Sequence, residues 1–131
     1  MKYKLFIMAV TLLFLPAMAK EKDIKYIHFE RGTYGAIIKG NIKGYEIANY
    51  KFRARKGQYM GLHLETKKAF FTIVAPGKFP NGEAMFIGEQ DGNNYTGTLP
   101  KSGQYTIQVY MMHDDERRGE LSHYELCMGI D

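Results

Sequence analysis

The residues best placed for chemistry form one charged stretch, His113-Asp114-Asp115-Glu116-Arg117-Arg118-Gly119. Adjacent carboxylates in a loop point apart, and no second acidic cluster faces them to complete an acid and base pair across a substrate. Arg117 and Arg118 have two readings. One is a salt bridge within the stretch, worth little at a surface. In the other, a guanidinium enters a partner's acidic cleft, where a bidentate carboxylate contact is favoured once water is excluded. His28, His63, His113 and His123 are too scattered for a metal-ligand spacing, and neither H-E-x-x-H nor C-x-x-C occurs. Ser102 lacks a G-x-S-x-G elbow and reads as a turn residue. Glu89-Gln90-Asp91-Gly92-Asn93-Asn94 is rich in oxygen donors but lacks the ligand order of an EF-hand, and reads as a hairpin loop. Cys127, the single cysteine, reads as a small apolar side chain in a final strand. No catalytic set, metal site or cofactor motif emerges, so the chain does not read as an enzyme.

The elements that must position the charged stretch are strands. Leu99-Pro100-Lys101-Ser102-Gly103-Gln104-Tyr105 predicts a tight turn, and the run from Tyr105 to Met112 the longest strand, which puts Tyr105, Ile107, Val109 and Met111 in the core. A charged loop after such a strand is presented at a fixed place. Further strands are predicted at Ile24–Glu30, Gly35–Ile42, Glu46–Arg55, Tyr59–Glu65, Ala69–Ala75, Ala84–Gly88, Tyr95–Leu99 and Ser122–Ile130. Met60, Leu62 and Leu64 alternate with Tyr59, Gly61 and His63, and the last strand buries Tyr124, Leu126, Met128 and Ile130. No stretch after residue 20 sustains a helical period, although Glu116–Leu121 suits a short turn. The fold class is all-β, an antiparallel β-sandwich of about eight strands. Arg55-Lys56-Gly57-Gln58 is expected to join two neighbouring strands. Ala75-Pro76-Gly77-Lys78 ends another strand, and each turn has a glycine free to take positive φ.

Residues 1–19 have the anatomy of a cleaved signal peptide: Lys2 and Lys4, an apolar run from Leu5 to Leu15, then Pro16 and Ala17-Met18-Ala19. The run is too short to span a bilayer, and no later apolar stretch could do so. Export to the periplasm, or beyond it, is the expected address. Residues 20–131 suffice for one domain. With 16 basic and 14 acidic residues in that part, the charge is far from the footprint of a nucleic-acid binder. No internal disulfide is available, so the core must hold the fold.

Tyrosine is abundant, with ten residues against no tryptophan. Tyr34 and Tyr45 follow Gly32-Thr33 and Lys43-Gly44, and a tyrosine on a rigid tip makes a good interface anchor. Exposed Tyr34, Tyr45 and Tyr95 would also serve a peptidoglycan- or carbohydrate-binding module of the envelope.

Four segments carry a resemblance over nearly the whole of residues 20–131. These are Phe29-Glu30-Arg31-Gly32, Gly40-Asn41-Ile42-Lys43-Gly44-Tyr45, Tyr50-Lys51-Phe52-Arg53-Ala54-Arg55-Lys56-Gly57-Gln58, and Leu99-Pro100 through Arg117. In order and spacing the chain resembles the bacterial periplasmic inhibitors of g-type (goose-type) lysozyme. The Tyr-x-Phe-x-Ala-x-x-Gly-Gln and Leu-Pro-x-Ser-Gly-x-Tyr stretches also resemble β-sandwich modules appended to secreted peptidases and carbohydrate enzymes, so they bear on fold more than on function. The Lys-Gly-Tyr tip and the loop after the long strand discriminate. The resemblance implies a binding protein for g-type lysozyme that occludes the enzyme's glycan groove through Tyr45, His113, Asp115 and Arg117. It departs from the family at His113, which replaces an arginine, and at Glu116, which replaces a small residue. A neutral histidine lacks the guanidinium fork, whereas a protonated one would strengthen binding at lower pH.

Overall fold

The computed structural model describes residues 20–29, 35–77 and 83–131. Residues 1–19, expected to be a signal peptide, lie outside those residues, as do Tyr34, Lys78 and the Glu30-Arg31-Gly32 part of the first resembling segment. Among the described residues ten strands appear in chain order: β1 Lys20–Glu21, β2 Lys25–Tyr26, β3 Gly35–Lys43, β4 Glu46–Ala54, β5 Tyr59–Thr66, β6 Ala69–Val74, β7 Ala84–Ile87, β8 Asn94–Thr98, β9 Gly103–Met111 and β10 Leu121–Ile130. One-turn helices stand between some of them, α1 at Gly88–Asp91 and α2 at His113–Arg117.

Two sheets pack face to face. One runs β1-β4-β9-β6-β7 with β2 also paired to β4, and the other runs β3-β10-β5-β8. The fold is the expected all-β sandwich, with two additions at its edge. β1 and β2 pair with β4 in parallel, Lys20 opposite Glu46 and Lys25 opposite Tyr50. Each is only two residues long, which corrects the longer strand expected over Ile24–Glu30.

Alternating side chains build the core between the sheets. Tyr105, Ile107, Val109 and Met111 of β9 are buried as expected, as are Met60, Leu62 and Leu64 of β5 and Tyr124, Leu126, Met128 and Ile130 of β10. Phe52 lies opposite Tyr105 in the β4–β9 register, and their rings stack with centroids 5.4 Å apart. Phe71, Phe86 and Tyr95 continue as a stacked column.

Two further expectations are corrected. β4 and β5 belong to different sheets, so Arg55–Gln58 carries the chain across the sandwich instead of closing a hairpin. Gly57 and Gly103 take positive φ in their turns, 95° and 143°. The longest strand is β10, with ten residues to the nine of β9.

The Tyr105 hydroxyl donates to the Lys101 carbonyl at 2.6 Å and accepts from the Lys101 amide at 3.1 Å, which ties the Pro100–Gly103 turn to the core. Tyr105→Phe keeps the ring and loses both bonds, so it is expected to lower stability by about 1–2 kcal/mol. Urea unfolding checks this: a lower midpoint at unchanged slope is expected, and an unchanged midpoint contradicts the role given to the hydroxyl.

Candidate functional site

The charged stretch leaves the core at the end of β9. Met111 is buried, Met112 is partly exposed, and the next five residues form α2 where a loop was expected. Its first turn carries Asp114, Asp115 and Glu116 and its last Arg117, the order that suits a helix dipole. Two ion pairs at i,i+3 spacing brace it, Arg117 to Asp114 at 2.5 Å and Arg118 to Asp115 at 2.7 Å. Gly119, at φ 66°, then lets the chain turn into β10.

The helix divides its side chains between solvent and protein. His113, Asp114, Arg117 and Arg118 have side chains at least 60 % exposed, whereas Asp115 and Glu116 fall below 20 %. Asp115 is therefore largely shielded and bound to Arg118. Arg118 is as exposed as Arg117, so both guanidiniums weighed in the sequence are presented, although the family resemblance singled out Arg117 alone. Glu120 joins the end of this network, 3.1 Å from the Lys68 ammonium and 3.7 Å from Arg118 Nε. The Lys68 contact holds the Glu120 carboxyl below the usual carboxylate range.

The tip that carries Tyr45 lies against this helix. Gly44 and Tyr45 link β3 to β4, and this link too crosses from one sheet to the other. The Gly44 amide donates to the Glu120 carbonyl at 2.9 Å. A Cβ at Gly44 would lie 3.7 Å from the Glu116 carbonyl oxygen and from Gly119 Cα, so the two segments meet backbone to backbone. Gly44 holds φ at 58°, a left-handed conformation that glycine adopts without strain. The Lys43 amide donates to the Glu46 carboxylate at 2.8 Å, and the Tyr45 carbonyl accepts from the Lys20 amide at 3.0 Å. Tyr45 itself is half-buried. The structure thus gathers Tyr45, His113, Asp115 and Arg117 at one end of the sandwich, with Asp115 in a supporting position.

Other singled-out residues lie elsewhere. Tyr95 faces inward and stacks on Phe86, with centroids 5.4 Å apart. Ser102, at the opposite end, accepts from the Lys56 amide at 2.8 Å, as a turn residue would. Glu89 to Asp91 lie in α1, and Asn93 donates to the Ala69 carbonyl at 3.0 Å. Among the described residues no group of three histidine, cysteine or acidic side chains converges as a metal site. His63 contacts Asn94 and Glu65 through its two ring nitrogens, and the Glu65 carboxylate raises its pKa. Cys127 is a free, half-buried thiol in β10, opposite His63 in the register.

No family model matches the chain. It is 28 % identical over 124 residues to an inhibitor of g-type lysozyme from Escherichia coli K12, covering 95 % of this chain and 92 % of that protein. The crystal structure of a periplasmic inhibitor of g-type lysozyme from Aeromonas hydrophila superposes with TM-score 0.77 at 34 % identity, over 86 % of this chain and all of the other. The corresponding Salmonella Typhimurium inhibitor gives 0.68 at 26 %, over 84 % and 99 %. The pre-peptidase C-terminal domain of a Bacillus anthracis collagenase, at TM-score 0.56 and 15 % identity over 86 % and 98 %, shares the fold alone.

The Arg117 guanidinium beside Asp114 holds that carboxyl below the usual carboxylate range, first by hydrogen bonding and then by charge. The pair is present above the unfolded-state pKa and is lost as pH falls through the lower folded one. In an NMR titration Asp114 is expected to move toward an ordinary carboxylate pKa in Arg117→Gln. An unchanged midpoint contradicts the pairing.

Proposed function

Because the chain belongs to the family of periplasmic inhibitors of g-type lysozyme, we propose that it is a periplasmic protein that binds g-type lysozyme and blocks the enzyme's glycan groove with the loops gathered at the α2 end. The protein performs no chemistry of its own and acts by occlusion. One observation carries the assignment of the surface: the Gly44–Tyr45 link is hydrogen-bonded to the end of the α2 segment, so an aromatic tip and a row of exposed cations stand side by side.

A glycan-cleaving enzyme holds carboxylates in an open groove. In this account Arg117 exchanges its exposed partner Asp114 for a carboxylate of the enzyme. The exchange is inexpensive, because a solvent-screened surface ion pair contributes little and the released Asp114 stays in water. A bidentate pair inside the groove is stronger once water is excluded. His113 adds a second polar contact one helical turn away, and Tyr45 supplies apolar area. Asp115 serves from behind, holding Arg118 and the helix end in place. The loops are tied at both ends to strands, so little conformational entropy is lost on docking.

The carbohydrate-module reading has less support. Of the three tyrosines it used, Tyr95 is packed on Phe86 and Tyr34 lies outside the described residues.

Lysis of a cell-wall suspension by g-type lysozyme, titrated with residues 20–131, is expected to stop at stoichiometric amounts while c-type lysozyme continues. Lytic activity that persists at large excess contradicts the reading. Arg117→Ala and Tyr45→Ala are each expected to weaken inhibition by about 2 kcal/mol, or roughly 30-fold. Lys101→Ala, at the opposite end, is expected to change nothing. Full inhibition by Arg117→Ala removes Arg117 from the surface.

A further inference from the structure

The core of a tight protein interface is apolar, and charged side chains are depleted from it. Apart from the half-buried Tyr45, the exposed side chains gathered at α2 are His113, Asp114, Arg117 and Arg118, all of them charged or polar. Such groups steer and orient a partner more than they add affinity. The apolar area of the surface has to come from residues beside the helix.

Six large apolar side chains are exposed among the described residues, and two of them bracket α2. Met112, 44 % exposed, is the residue before the helix, and Leu121, 50 % exposed, is the first of β10 after it. Their neighbours Met111 and Ser122 face the core, so alternation turns Met112 and Leu121 onto the outer faces of the two different sheets. Leu121 pairs in register with Lys43, next to the Gly44–Tyr45 tip. Backbone hydrogen bonds hold both in place: the Met112 carbonyl accepts from the Glu116 amide at 2.9 Å, and the Glu120 carbonyl, just before Leu121, accepts from Gly44 at 2.9 Å. Beside Leu121, a cleft of about 370 Å³ lined by Thr66, Lys67 and His123 offers a recess for a partner's side chain.

We propose that Met112 and Leu121 are the apolar anchors of the lysozyme-binding surface, which therefore extends from α2 onto the outer faces of both sheets. The enzyme that fits it carries apolar side chains on both lips of an acidic groove. The cations of α2 enter the groove while the lips close on Met112 and Leu121. This rests on the lysozyme-binding reading and adds a specificity element to it: an enzyme with the same acidic groove but polar lips is bound weakly.

The test measures binding of residues 20–131 to g-type lysozyme by isothermal titration calorimetry, for the wild-type protein and for Met112→Gln and Leu121→Gln. Each substitution is expected to weaken binding about tenfold and to make the heat-capacity change of binding less negative. Because no charge is altered, the loss is expected to keep its size from about 0.05 M to about 0.5 M salt. Ile37→Gln, at a side chain 69 % exposed toward the far end of β3, is expected to bind like the wild type. Wild-type binding matched by both anchor variants overturns the anchors and leaves the lysozyme reading intact. A loss in only one of them overturns the two-sided surface. No binding by the wild-type protein overturns the lysozyme reading and this inference with it.

Discussion

Strands β9 and β10 each occupy an interior position, but in different sheets. The nine residues between them must therefore cross the open end of the sandwich, a gap of about 10 Å between sheet planes. Much else follows from that crossing. It makes the chain coil into α2, it lines the helix's exposed cations along the rim, and it brings the Glu120 carbonyl to the Gly44 amide of the other crossing at the same end. Both crossings start and finish on strands whose inward faces are fully committed to the core. The surface they form is fixed by the packing of Tyr105, Val109, Met111 and Leu126, all of them buried.

Strand positions were legible because each strand has one buried face and a period of two. Glu46–Ala54, Tyr59–Thr66 and Leu121–Ile130 fall within a residue of where alternation puts them. Sheet membership was not legible. A four-residue turn such as Arg55–Gln58 suits a hairpin or a sheet-to-sheet crossing equally well, and only the packing decides. The paired strands β1 and β2 are too short for any period to emerge, and they rest on hydrogen bonds to β4.

The candidate site was legible in composition but not in geometry. Tyr45, His113 and Arg117 could be picked out by position in segments that resemble a family, and they do lie at one end of the molecule. What the linear reading lacked was the turn of helix. In a loop Asp115 and Arg117 look equally available, whereas one helical turn shields Asp115 and sets Arg118 beside Arg117 in exposure. The buried Tyr50–Tyr124 contact joins residues 74 apart in sequence and depends on a glycine opposite, so no local pattern announces it.

The same sandwich occurs in a domain of a collagenase, so the architecture does not itself specify inhibition. What distinguishes this chain is the chemistry placed on one end of it. The most direct test is amide hydrogen exchange of residues 20–131 with and without an equimolar g-type lysozyme. The account predicts new protection confined to Lys43–Glu46 and Met112–Leu121, with the Arg55–Gln58 and Pro100–Gly103 end unchanged. Protection at that opposite end, with none on α2, would contradict it.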